Sequence, residues 1–211
     1  HKTVNHSRIT SQQLPKLLKD IDAYGGDLLV KLGLWFMCYT FVRTNEIRYM
    51  EWQDVDFKRG LWTIPAIKMK AGRLHIVPLA PQAIAILKQI RELGFSDKYV
   101  FFNTSTRKPY SQSAFINALW NMQYKGKMTG HGFRGLASTT LHEQEYMHEA
   151  IELQLAHDRE NKISAAYNGA QHLQYRINMM NEWASFVDDA YAGKLDNVIR
   201  ADFKQQTQKH G

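Results

Sequence analysis

A mainly helical domain carrying one small antiparallel sheet, an α+β fold, is what this 211-residue chain predicts. Apolar residues recur at helical spacing along most of the chain, β-branched alternation is concentrated between Val55 and Leu79, and no segment repeats another. One domain accounts for the length without a linker or a low-complexity tract.

The first helix is announced by Thr10-Ser-Gln-Gln13, a capping box, and carried by Leu14, Leu17, Leu18 and Ile21 until Gly25-Gly26 stops it. A more apolar helix should run from about Asp27 to Phe41, and a short one, capped by Asn45, through Met50. Arg43 then lies in the turn between two helices, where a side chain can be aimed out of the core. Val55-Asp-Phe57, Leu61-Trp-Thr-Ile-Pro65 and Leu74-His-Ile-Val-Pro-Leu79 read as strands, the last two joined by the turn Lys68-Met-Lys-Ala-Gly-Arg73. Pro65 and Pro78 mark strand ends and keep the sheet small. Further helices are expected from Pro81, over Ser111 to Met122, His131 to Glu143, His148 to Leu155, around Lys162 to Tyr167, and over Gln171 to Tyr191. The last carries Ile177, Met180, Trp183, Ala184 and Val187 as its apolar stripe, and a polar tail follows Gly193.

Composition narrows the function. A hydrophobic content of 44% excludes global disorder, and the single cysteine, Cys38, sits in an apolar run and suits a buried role. No apolar stretch reaches the roughly 18 residues of a membrane span, since Asp27, Lys31 and Arg43 interrupt the best candidate. A reducing, cytoplasmic compartment is expected. The net charge is +7, and it is unevenly placed: residues 43 to 134 hold 15 Lys and Arg against six Asp and Glu, and the rest hold 12 against 14. Concentrated positive charge suits a polyanion.

That basic segment contains His131-Gly-Phe-Arg134, with His157 and Tyr167 following 23 and 33 residues after Arg134. Two imidazoles, guanidinium groups and a phenol can bind a phosphate and attack it without metal. Arginine is suited to the anionic oxygens because its planar fork stays protonated and pairs with two of them at once. No carboxylate cluster for Mg²⁺ is evident, and the nine histidines show neither Cys-x-x-Cys nor His-Glu-x-x-His spacing, so neither a metal nor a cofactor is expected. The aromatic residues Trp35, Phe36, Tyr39, Phe41, Trp183 and Phe186 read as core.

Arg43 in Phe-Val-Arg-Thr-Asn-Glu46, Lys70 in Met69-Lys70, His75-Ile-Val-Pro-Leu79, His131-Gly-Phe-Arg134, Gln154-Leu-Ala-His157 and Tyr167 come in one order. That ordered set resembles the catalytic domain of the tyrosine recombinases, above all integrases of temperate phages and genomic islands, from about residue 10 to residue 190. The resemblance implies that fold and site-specific cleavage and rejoining of DNA through a 3′-phosphotyrosyl intermediate. It implies that Arg43 and Arg134 clamp the scissile phosphate, that His157 adds a hydrogen bond and that Tyr167 is the nucleophile. Lys70 is the candidate acid for the departing 5′-oxygen, and His131 the candidate base for a phenol of ordinary pKa near ~10. Glu46 would reach back across one turn to hold Arg43, and Lys68, Arg73, Lys125 and Lys127 would meet DNA backbone. Tyr175 and Tyr191 are the other phenols a shifted register would bring into question.

By the same resemblance, residues 1–211 form a C-terminal catalytic domain with a core of about 10–192 and a tail of 193–211 that docks on a neighbouring protomer. N-terminal DNA-binding domains are expected to be absent from the chain. Double-stranded DNA attachment sites, a homotetramer on DNA and accessory DNA-bending proteins are the implied partners, in a bacterial or phage-infected cytoplasm at the nucleoid. A type IB topoisomerase and a non-catalytic DNA-binding relative are the alternative functions; the family strings favour the recombinase.

Overall fold

The computed structural model describes residues 7–69, 71–157 and 172–195. Lys70, Tyr167, the helix expected around Lys162 to Tyr167 and most of the tail lie outside the described residues. Within them, helices surround a three-stranded antiparallel sheet of order β1-β2-β3, as the α+β expectation requires.

One 3-10 turn, Ser11–Gln13, leads into α1 (Leu14–Asp22), and the Thr10 N–H donates to Gln13 Oε1 at 3.0 Å. The face of α1 that is buried is the one spaced in the sequence: Leu14, Leu17, Leu18 and Ile21. α2 (Leu28–Thr40) is buried nearly all round and packs on α1 and on most of the later helices. Asp27 starts it. Its Oδ1 accepts from the N–H groups of Leu29 at 2.8 Å and Val30 at 3.2 Å, and from Tyr110 Oη at 2.6 Å. α2 ends at Phe41, which takes a left-handed conformation with φ +41. A non-glycine residue there carries strain, and it is held by complete burial and by the Trp183 ring standing perpendicular to Phe41 at 5.8 Å.

α3 (Thr44–Arg48) begins two residues earlier than an Asn45 cap would allow. Arg43 occupies the flanking position, and the Glu46 carboxylate accepts its backbone N–H at 2.8 Å, a satisfaction of the helix start that Asn45 does not supply. Asn45 instead accepts from Arg48 Nη1 at 2.7 Å.

β1 (Val55–Asp56), β2 (Leu61–Ile64) and β3 (His75–Pro78) follow, with Leu61 opposite Pro78 and Ile64 opposite His75. The β2–β3 connection contains a 3-10 turn, Ala66–Lys68, and Gly72 at φ +63, a value that glycine adopts without a Cβ clash. After α4 (Pro81–Glu92) comes a second hairpin, β4 (Phe102–Asn103) and β5 (Lys108–Pro109), too short to leave an alternating pattern in the sequence.

α5 (Ala114–Asn121), α6 (Gly130–Glu143), α7 (His148–Gln154) and α8 (Leu173–Tyr191) complete the layers. Thr129 caps α6, its Oγ1 accepting from the Gly132 N–H at 3.0 Å. α8 packs on α1, α2, α7 and β3. Its buried residues are Arg176, Met179, Met180, Trp183, Ala184, Phe186, Val187 and Ala190, so an arginine stands where the sequence pattern puts Ile177.

Asp27 anchors both the start of α2 and the Tyr110 hydroxyl. Asp27→Ala should lower the unfolding free energy by about 1–2 kcal/mol, read as a reduced urea midpoint at unchanged slope. An unchanged midpoint would mean that this cap is not formed in solution.

Candidate active site

Arg43, between α2 and α3, and Arg134, one turn into α6, line the same cleft of about 540 Å³ together with Glu46, Lys68, Gly130 and His131. The two guanidinium groups are held mainly by backbone carbonyls. Arg134 donates through Nη1 to Phe41 O at 3.1 Å and through Nη2 to Leu155 O at 2.5 Å. Arg43 donates through Nη2 to Ala156 O at 3.1 Å and through Nη1 to Glu46 Oε1 at 2.8 Å. Those carbonyls belong to the C-terminal ends of α2 and α7, where unpaired carbonyls and the helix dipole concentrate negative charge. Phe41 at φ +41 and Ala156 at φ +49 are both left-handed, and each turns its carbonyl to an arginine.

Arg134 is 3% exposed, and among the described residues no carboxylate pairs with it directly. Burial, and next the Arg43 charge, push its pKa down to about 10 against the opposing pull of Glu46 and Glu152. It is therefore still protonated at neutral pH. Among the described residues its buried Nε has no hydrogen-bond partner. A cleft with two fixed cations, one directly paired carboxylate and an unsatisfied donor is chemically suited to an anion with several oxygens.

His131 is exposed in the first turn of α6 and lines this cleft. His157 leaves the end of α7, one residue beyond the carbonyl that Arg43 grips, and is also exposed. Its Nδ1 lies 2.8 Å from Glu152 Oε2, which fixes that nitrogen as the donor and orients the ring. Lys70 and Tyr167 fall outside the described residues. Of the other phenols, Tyr191 donates to Asp22 at 2.9 Å and packs edge-on to Trp35, and Tyr175 Oη accepts the Met147 N–H at 3.0 Å.

Lys68 Nζ is bound by Asp54 at 2.7 Å and Glu51 at 3.2 Å, as the Ala66–Lys68 turn folds it back on the residues before β1. Its charge is neutralised within the protein. Arg73 is half-buried on the β2–β3 connection. Lys125 and Lys127 are exposed between α5 and α6, with Lys125 Nζ 5.1 Å above the Trp120 ring.

Three buried residues outside the cleft lining bear on its charge: Arg176, Gln154 and His75. Arg176 is 3% exposed and donates to Gln154 Oε1 at 2.6 Å and to Ile76 O at 2.5 Å, tying α8 to α7 and β3. His75 is buried, and burial first, then the charges of Arg176, Arg134 and Arg43, hold its pKa down to about 3. A neutral imidazole and an amide thus pack where a further cation would be repelled. Arg176 had a signal in the sequence: it continues the stripe of Met180 and Trp183 by one helical turn, a charged residue at a core position.

The family model described as "Phage integrase family" matches residues 7–173 of this chain. The chain belongs to the phage integrase family. Among relatives, the integrase of Shigella phage Sf6 is 32% identical over 191 residues, which cover 90% of this chain and 50% of that protein. The integrase of Enterobacteria phage P4 is 33% identical over 205 residues, covering 89% and 46%. The chain therefore spans about half the length of the curated relatives it matches. Of solved structures, a XerA recombinase gives a TM-score of 0.59 at 17% identity, covering 82% of this chain and 66% of that one. A lambda integrase tetramer bound to a Holliday junction gives 0.58 at 16%, covering 77% and 50%. These likenesses establish the fold of this integrase-family chain, that of tyrosine recombinase catalytic domains.

His75 gives the site a pH signature. Ordinarily titrating at 6.5 but held to about 3 when folded, it takes up a proton on unfolding at any pH between those values. Its contribution to stability is complete above pH 6.5 and is lost as the pH falls toward 3, by up to about 1.4 kcal/mol per pH unit. His75→Gln should flatten the fall in unfolding free energy between pH 6.5 and 5, measured in urea. Parallel profiles for the two proteins would show that His75 titrates normally in the folded state.

Proposed function

We propose that this chain is the catalytic domain of a site-specific DNA recombinase, an integrase that cleaves and rejoins DNA strands through a 3′-phosphotyrosyl intermediate to move a mobile element. The observation that carries the reading is the single cleft in which Arg43 and Arg134 are fixed beside His131, in a chain of the phage integrase family.

In this mechanism the guanidinium groups of Arg43 and Arg134 bind the non-bridging oxygens of the scissile phosphate and neutralise the charge that grows there as the phosphorus becomes five-coordinate. The carbonyls of Phe41, Leu155 and Ala156 keep both forks in place before DNA arrives, so little reorganisation accompanies the reaction. Tyr167 Oη attacks phosphorus as His131 takes its proton. The bond to the 5′-oxygen breaks, and Lys70 supplies the proton that makes it a hydroxyl. His157, its Nδ1–H held by Glu152, donates to a phosphate oxygen from Nε2 when the ring carries both protons. The 5′-hydroxyl of a second strand reverses the steps and releases Tyr167. One phosphodiester is exchanged for another, so no nucleotide hydrolysis is needed.

Arg73, Lys125 and Lys127 would meet the phosphate backbone around the cleavage point and add a salt-sensitive, sequence-independent attraction. The rest of the assembly, in this reading, comprises DNA-binding domains N-terminal to the catalytic one, two attachment sites brought together by four protomers, accessory DNA-bending proteins and a tail from Gly193 that docks on a neighbour. Location at the bacterial nucleoid follows from such a substrate.

A nicked suicide duplex carrying the cognate attachment site, incubated with the full-length protein and resolved on a denaturing gel, tests the chemistry. A covalent adduct that survives EDTA and disappears in Tyr167→Phe is expected. Arg43→Gln or Arg134→Gln should slow its formation by about 100-fold or more. An adduct that persists in Tyr167→Phe would overturn the nucleophile. Site-independent relaxation of supercoiled plasmid would place the protein with the topoisomerases instead.

A further inference from the structure

A second cluster of chemistry lies where α6 gives way to α7. His142, in the last turn of α6, places Nδ1 2.7 Å from Ser138 O. A carbonyl only accepts, so Nδ1 carries the ring proton and Nε2 offers its lone pair, the arrangement in which metal-bound histidines are normally fixed. His142 Nε2 faces His148 Nδ1 at 3.0 Å, and Glu152 follows His148 by one turn on α7. One ligand atom from each of His142, His148 and Glu152 falls within 4.8 Å of the others.

From this convergence we propose that His142, His148 and Glu152 bind a divalent transition-metal ion of the zinc class. Two nitrogens on a tetrahedral ion, at about 2.0–2.1 Å from it, are about 3.3 Å apart, close to the spacing the two imidazoles already have. A cation there replaces the shared proton between the rings. Two imidazoles and one carboxylate select zinc-like ions over Mg²⁺ or Ca²⁺, which require mostly oxygen ligands. Both histidines are exposed, so water completes the shell and the ion exchanges freely. The spacing is invisible to motif reading because the ligands come from two helices: only His148 and Glu152 share one.

The site also touches the proposed chemistry. Glu152 Oε2 is the group that holds His157 Nδ1 at 2.8 Å. An ion drawing on the Glu152 carboxylate loosens that hold, so occupancy alters the ring on which one phosphate contact depends. This coupling, unlike the binding, rests on the function proposed above.

The untagged protein should bind one equivalent of Co²⁺ or Zn²⁺, followed by the visible absorption of Co²⁺ and by competition of Zn²⁺ with a chromophoric chelator. His142→Ala and His148→Ala should each weaken binding at least tenfold while leaving the far-ultraviolet circular dichroism and Tm unchanged. Affinity equal to wild type in both variants, or no binding at millimolar metal, overturns the site. Added Zn²⁺ should shift the His157 imidazole ¹H–¹⁵N signals in wild type and not in His142→Ala; binding without that shift overturns the coupling. Because no DNA is present, failure here is separate from failure of the recombinase reading.

Discussion

The grip of helix-end carbonyls on two arginines is the constraint from which the rest of this structure follows. Phe41, Leu155 and Ala156 present their carbonyls at the ends of α2 and α7, and the guanidinium groups of Arg134 and Arg43 satisfy them. A buried cation is costly unless its donors are bonded, and an unpaired helix end is costly unless its carbonyls are. Each group here removes the other's penalty. The arrangement leaves the forks oriented but not neutralised, since among the described residues Glu46 is the one carboxylate directly bonded to either.

Around this centre the protein limits charge. His75 stays neutral, and Arg176 uses an amide and a carbonyl where a carboxylate would have been expected. The consequence is a basic interior facing the cleft, where the charge of the lining residue Lys68 is balanced by Asp54 and Glu51. Positive potential is thereby focused on the two arginines. Glu152 stands at the border: it holds His157 on one side and joins His142 and His148 on the other. Through that one carboxylate the proposed metal site and the proposed catalytic site share a group.

Much of the helical frame was legible because the signals are local. Capping at Thr10, apolar spacing in α1, Pro81 at the start of α4 and the β2 and β3 runs each act over a few residues. The misreadings have a common cause. Asn45 was placed as a cap by residue type, but the Glu46 carboxylate reached back to Arg43 and settled the start of α3. Ile177 was placed in the stripe by hydrophobicity, but Arg176 is buried because its partners, Gln154 and Ile76, lie on other elements. The β4–β5 hairpin, two residues on each side, is shorter than any periodicity.

The sequence by itself determined the class of fold, the order of the chemical groups and the family they resemble, since composition, spacing and short strings are properties of a chain read in one dimension. Tertiary structure alone decided that Arg43 and Arg134 share a cleft, that left-handed turns at Phe41 and Ala156 brace them, that Lys68 is neutralised, and that His142 meets His148 and Glu152. Those contacts join residues from different elements, and their geometry is set by how helices and strands pack; no local pattern in the chain encodes a distance across the core.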